Sequence, residues 1–341
     1  MIMQTLLWPV WNRREKRLRA GWRLLIQLLL WMFTPALLDV ALGGPLTRVV
    51  GGLIPDFIVI GNRIVLFGLT LIATLASTWL AARFLDRRAL RDLGLQMDAA
   101  WWIDLVFGLI LGAVLMTLVF AAQYAMGWVT VLDTFAVEPA DTPFFVAILA
   151  PVVVFVVVGI SEEVLSRGYQ LRNLAEGFNF EGRHPRAALL VAWIGSSFVF
   201  GLLHVFNPNT TWISTLNLML AGMFLGLGLV LTGRLGLPIG LHITWNFFQG
   251  NVFGFPVSGN DFTSATFVAI RQGGPDLWTG GAFGPEAGLI GIAAIVLGSL
   301  LIVLWVQRRY RVLAFVQSYA VYTPLHGALQ HAVNLPNEAV S

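Results

Sequence analysis

The chain contains no cysteine, a single lysine and few charges, with only 11% of its 341 residues being Asp, Glu, Lys or Arg. Without cysteine there is no disulfide framework, thiolate zinc site or cysteine nucleophile. A soluble domain usually carries about 25% charge, so the scarcity of charge excludes an ordinary water-facing surface. Basic and aromatic residues form no patterned groove, and no nucleic-acid partner is expected. Apolar stretches are continuous rather than alternating, which argues against a β-barrel.

What remains is hydrophobic: 57% of residues are apolar, and runs of about 20 such residues recur along the chain, enough to cross the hydrocarbon core as helices. The reading is an all-α polytopic membrane protein with eight transmembrane helices. They fall near Trp22–Leu42, Phe57–Leu85, Trp101–Trp128, Phe144–Gln170, Arg186–Val205, Ile213–Thr232, Leu237–Phe255 and Glu286–Val306. A basic stretch from Arg13 to Arg23 precedes the first run. That run is too long for a signal h-region and lacks a clear A-x-A site, so it is read as a retained span.

Charge placement sets the orientation. With both termini cytoplasmic, 18 of the 21 basic residues lie inside, leaving only Arg48, Arg63 and Arg271 outside. The chain then divides into a basic N-terminus (1–21), a helical membrane domain (22–310) and a cytoplasmic tail (311–341). Asp86–Asp98 makes a charged inner connector, and the Gly-rich outer loop Val257–Pro285 is expected to be irregular. His326 and His331, in the tail, carry no expected role.

Against this background a few polar residues stand out within apolar runs: Glu162 and Glu163 in VVVGISEEVLSRGYQ, His204 in SSFVFGLLHVFNP, and His242 with Asn246 in LGLPIGLHITWNFFQG. A charged side chain costs about 2.5–3.5 kcal/mol at a helix centre on insertion scales, so such residues usually mark a wet, functional cavity. Glu163 and Arg167 are four apart and share a helix face. Glu162 points about 100° away. Glu163 is therefore assigned to a structural pair with Arg167, and Glu162 to the cavity as a general-base candidate. His242 and Asn246 also share a face, and an amide and a ring N–H could hold a developing oxyanion. The bland alternatives are that the acids cap a span end and that the histidines and asparagine are interhelical hydrogen-bond glue.

Glu-Glu-x-x-x-Arg, Phe-x-x-x-His and His-x-x-x-Asn, in this order on separate spans, resemble the CAAX prenyl protease and bacteriocin-processing group of intramembrane proteases (type II CAAX endopeptidases, the ABI family). The resemblance extends over about Leu85–Gln249, including DRRALRDLGL and LTGRLGLPIGLHITWNF. It implies a membrane endopeptidase in which Glu162 activates water with help from His204. Glu163 and Arg167 complete the first motif, and His242 and Asn246 stabilise the oxyanion. Expected partners are a peptide or membrane-protein substrate and the bilayer, in a bacterial inner membrane. No H-E-x-x-H helix is present. Zinc on Glu162, His204 and His242 stays open as an alternative to water activation without metal. The competing functions are a non-catalytic immunity or scaffold protein and a proton-coupled transporter, the latter disfavoured by the lack of internal repeats.

One geometric difficulty accompanies this reading. With a fifth span starting at Arg186, His204 lies about 27 Å along it, towards the outer half, whereas a fourth span ending at Gln170 puts Glu162 towards the cytoplasmic half. The two can meet only if the fifth span starts later, tilts, or breaks near Gly195-Ser196-Ser197.

Overall fold

The computed structural model describes residues 9–53, 58–138, 142–179 and 182–323. The tail histidines His326 and His331 lie outside the described residues. Among the described residues eight helical elements follow one another: α1 (Ala20–Leu53), α2 (Ile58–Leu85), α3 (Ala99–Ala125), α4 (Phe144–Phe178), α5 (Pro185–Leu203), α6 (Trp212–Thr232), α7 (Gly236–Phe247, extended by a π-helical turn Phe248–Val252) and α8 (Leu289–Tyr310). All but α7 are long and apolar enough to cross a membrane. The molecule is an all-α polytopic membrane protein.

Local chemistry sets the helix ends. Asp98 caps α3 by accepting from the Trp101 amide at 2.9 Å. Pro185 occupies the first turn of α5, where its missing N–H costs nothing. Thr211 and Ser214 exchange hydrogen bonds at the start of α6, and Gly233 ends it at φ +69°.

The most intimate helix contact is between α3 and α7. Gly108 and Gly112 of α3 lie against the backbone of Leu237 and Leu241 in α7, while Gly236 and Gly240 of α7 lie against the carbonyls of Trp101 and Leu105 in α3. Neither side leaves room for a Cβ. In lipid, where apolar surface alone gives no drive for helix association, such close backbone approach supplies the packing. The Gly222 and Gly226 positions of α6 serve the same purpose against Ser197 and Trp193 of α5.

Two buried clusters flank this seam. One joins Leu115 and Val119 of α3, Phe224 of α6, Trp245 of α7 and Ile302 of α8. The other joins Val164 and Leu171 of α4, Leu189 of α5, Leu229 of α6 and Ile239 of α7. Outward-facing apolar side chains such as Phe33, Leu37 and Ile110 complete a surface suited to lipid.

The two ends of the bundle differ. At the arginine-rich end, Arg17, Arg23 and Arg88 are almost fully buried around Asp86 and Glu176. Arg17 meets Glu176 at 2.7 Å, Arg23 meets Asp86 at 2.6 Å, and Arg88 also pairs with Glu176. This network ties the N-terminal segment, the α2–α3 connector and the end of α4 together. At the opposite end, β-strand order appears in segments that connect the helices. Strand β1 (Val129–Val137) pairs antiparallel with β2 (Ala265–Gln272), with a bulge between Val131 and Asp133. The outer loop is therefore not irregular throughout. Its ATFVAIRQ segment, and the VTVLDTFAV segment that follows α3, are rich in β-branched and aromatic residues. Buried Asn251 pins this cap by donating to the carbonyls of Phe262 and Ala265 at 2.8 and 2.7 Å.

Helix α4 resolves the depth problem. It does not end at Gln170 but continues through Leu171–Phe178. Glu162 therefore lies about 24 Å from its C-terminal end, close to the 27 Å that separates His204 from the start of α5. Helix α5 begins at Pro185 and is unbroken at Gly195-Ser196-Ser197, so neither a late start nor a break is needed.

Two outcomes follow from this architecture. Gly240→Ala places a Cβ against fixed backbone and should lower unfolding stability in detergent by about 1–3 kcal/mol; Gly195→Ala, which faces open space, should leave it essentially unchanged. Because the chain is cysteine-free, single cysteines report sidedness. If both termini are cytoplasmic, Arg91→Cys should react with an impermeant maleimide only in inside-out vesicles, and Arg271→Cys only in intact cells.

Candidate active site

Helix α4 changes character where its acids lie. The α-helical part ends at Glu162, and Glu163–Gln170 is π-helical. Such segments are rare and occur often at functional sites. Glu163 is completely buried. One of its oxygens, Oε1, receives Arg167 Nη1 at 2.9 Å and faces His242 Nδ1 at 2.8 Å. Arg167 in turn donates to the Gly222 carbonyl of α6 at 3.1 Å and lies 4.2 Å over the Phe200 ring of α5. One carboxylate thus links α4 to α7, with Arg167 extending the link to α5 and α6.

This arrangement fixes the tautomer of His242. Glu163 Oε1 already accepts from Arg167 and accepts from His242 as well, so the proton between the two belongs to His242 Nδ1. Nε2 then faces Glu162, whose Oε2 is 3.9 Å away. As a neutral ring, His242 presents an acceptor to the cavity; it becomes a donor there once it takes a second proton. His204 behaves similarly. It sits at the C-cap of α5, and its Nδ1 donates to the Phe200 carbonyl at 2.7 Å, leaving Nε2 to accept a proton. Both histidine rings contact the Phe200 ring, at centroid distances of 4.8 and 6.3 Å.

Glu162, His204, His242 and Asn246 all line one cavity of about 390 Å³. Its walls are largely apolar, with Phe155, Val158, Phe200, Phe224 and Trp245 around the polar groups. That volume and lining suit a small stretch of peptide. Glu162 retains 36% side-chain exposure, whereas Glu163 has none. The six motif residues therefore separate: four open onto the cavity, while Glu163 and Arg167 stand behind it. The Asn246 side chain makes no hydrogen bond among the described residues, which leaves its amide available to a ligand.

Glu162, His204 and His242 have the donor chemistry of an open zinc site. Among the described residues, however, no three His, Asp or Glu side chains are gathered at coordinating distances.

Residues 144–248 match the family model described as Rce1-like, type II CAAX prenyl endopeptidase. The chain carries an Rce1-like domain. At the level of that description, this segment is similar to CAAX-type membrane proteases. No curated protein and no solved structure matched the chain. The matched segment is narrower than the resemblance read from about Leu85 onwards, but it contains all six motif residues.

Outside the Rce1-like segment, the cap contributes residues that the motifs do not reveal. Ser258, Asn260 and Glu286 line the cavity, with Asn207 from the α5–α6 turn. Glu286, expected as the start of the last span, instead precedes α8 and is buried. It accepts from the Ser258 amide at 2.5 Å and from the Gln249 side chain, holding the cap to the end of α7. No sequence signal beyond an acid in a Gly-Pro stretch marks it.

Burial pushes the Glu286 carboxyl up to about 7, against the opposing effect of its hydrogen-bond donors. A raised folded-state value means that this group's stabilisation is complete below about pH 4.5 and is lost as pH rises through about 7. Limited proteolysis of the Val257–Pro285 cap should therefore accelerate between pH 5 and 8, and Glu286→Gln should flatten that dependence. A pH-independent cleavage rate in the unmodified protein would contradict this role.

Proposed function

We propose that this protein is an intramembrane endopeptidase that hydrolyses peptide bonds of membrane-associated or C-terminal peptide substrates through water activated by Glu162 and His204. The observation that carries the proposal is the convergence of Glu162, His204, His242 and Asn246 on one largely apolar cavity. Each of these residues would otherwise be an unexplained polar group in a lipid-embedded helix.

In this reading a water held between Glu162 and His204 loses a proton to Glu162 as its oxygen attacks the scissile carbonyl. The carbonyl oxygen becomes an oxyanion, which accepts a hydrogen bond from the Asn246 amide. His242 adds a second donor at Nε2 when protonated. Collapse of the tetrahedral intermediate breaks the C–N bond, and the proton taken from water passes to the leaving amine. Glu163 and Arg167 do not touch substrate; they hold His242 in position and set its tautomer.

The test is cleavage of a peptide library by the full chain in proteoliposomes. Glu162→Gln, His204→Ala and His242→Ala should each lower turnover by at least about 10²-fold without changing the unfolding temperature. Asn246→Ala should cost on the order of 10²–10³-fold, as loss of one oxyanion donor does elsewhere. Full biological function in Glu162→Gln would instead indicate a protein that binds peptides without cutting them.

A further inference from the structure

A second cavity, of about 1700 Å³, lies at the arginine-rich end of the bundle and shares no lining residue with the motif cavity. It forms where α1 begins and where α2 and α4 end, with Ala320–Tyr322 as one wall. Lys16, Arg83 and Arg87 are exposed on its rim and meet no carboxylate among the described residues. Arg23 lines it too. Its Nη1 is taken by Asp86, but its buried Nε has no partner among the described residues.

The charge beneath the cavity is also unbalanced. Arg17, Arg23, Arg88 and Arg172 meet three carboxylates, the deeply buried Asp86 and Glu176 and the partly exposed Glu15, which pairs with Arg17 at 2.8 Å. The field in this cavity therefore favours an anion. Its other side is apolar: Leu24 lines it, and Phe84 is 64% exposed next to Arg83. Basic groups above an apolar, lipid-facing edge match the two halves of an anionic phospholipid.

We propose that this cavity binds the headgroup of an anionic phospholipid of the surrounding leaflet, with Lys16, Arg83, Arg87 and Arg23 contacting the phosphate and Leu24 and Phe84 flanking the acyl chains. The shared chemistry is a phosphate ester. Its lipid form is selected by the apolar edge.

The full chain in detergent is titrated with phosphatidylglycerol, phosphatidylcholine or glycerol 3-phosphate and analysed by native mass spectrometry. Phosphatidylglycerol should be retained at least about tenfold more tightly than phosphatidylcholine, with the preference weakening as salt screens the contacts. The Lys16→Gln, Arg83→Gln, Arg87→Gln triple variant should lose the preference while keeping its unfolding temperature. Equal binding of the two lipids, or an undiminished preference in a folded triple variant, overturns the proposal. Displacement of the lipid by equimolar glycerol 3-phosphate also overturns it, by assigning the cavity to a soluble phosphate. Should the triple variant not fold, the salt series on the unmodified protein decides: a preference unchanged between about 0.05 and about 0.5 M salt rejects the headgroup contacts.

Discussion

The site depends on one carboxylate oxygen. Glu163 Oε1 is shared by Arg167 and by the Nδ1 of His242, at 2.9 and 2.8 Å, with no solvent in contact. A buried carboxylate facing only the histidine would be costly in this medium; the arginine makes it tolerable, and the Gly222 carbonyl and the Phe200 ring occupy the arginine in turn. Breaking the Glu163–Arg167 pair leaves desolvated charges rather than a missing hydrogen bond. The same contacts hold α4, α5, α6 and α7 at the spacing that gives Glu162, His204 and His242 a common void. The adjacent acids thus divide their work through position alone, one buried behind the cavity and the other lining it.

Much of this was legible in the sequence because the lipid environment makes polar residues conspicuous. Glu162, Glu163, His204, His242 and Asn246 stand out in apolar runs, and the fourfold spacing of Glu163 and Arg167 predicts their contact. Other features are not visible at that level. The extension of α4 to Phe178 is hidden because Arg172 and Glu176 look like a loop by composition; their charges are instead absorbed by the buried network with Arg17 and Arg88. The π-helical register of Glu163–Gln170 has no compositional signature. The Nδ1 tautomer of His242 depends on a partner 79 positions away, which only folding brings near.

The two ends of the bundle are stabilised by opposite means. At one end, arginines and carboxylates interlock beneath a basic cavity. At the other, a two-stranded sheet, buried Asn251 and the buried Glu286 hold the cap against α7. Cap and motif residues meet in the same cavity although they come from different parts of the chain: Ser258, Asn260 and Glu286 lie beyond the Rce1-like segment.

The glycine seam between α3 and α7 has a further consequence for how such a protein can be altered. Helix α7 bears His242 and Asn246, and its backbone is wedged directly against that of α3, so it behaves as a ruler with no slack. It can neither slide by a residue nor rotate to suit a bulkier guest. Redesign of selectivity has to leave this ruler untouched and reshape the facing walls, where side chains rather than backbone meet the void.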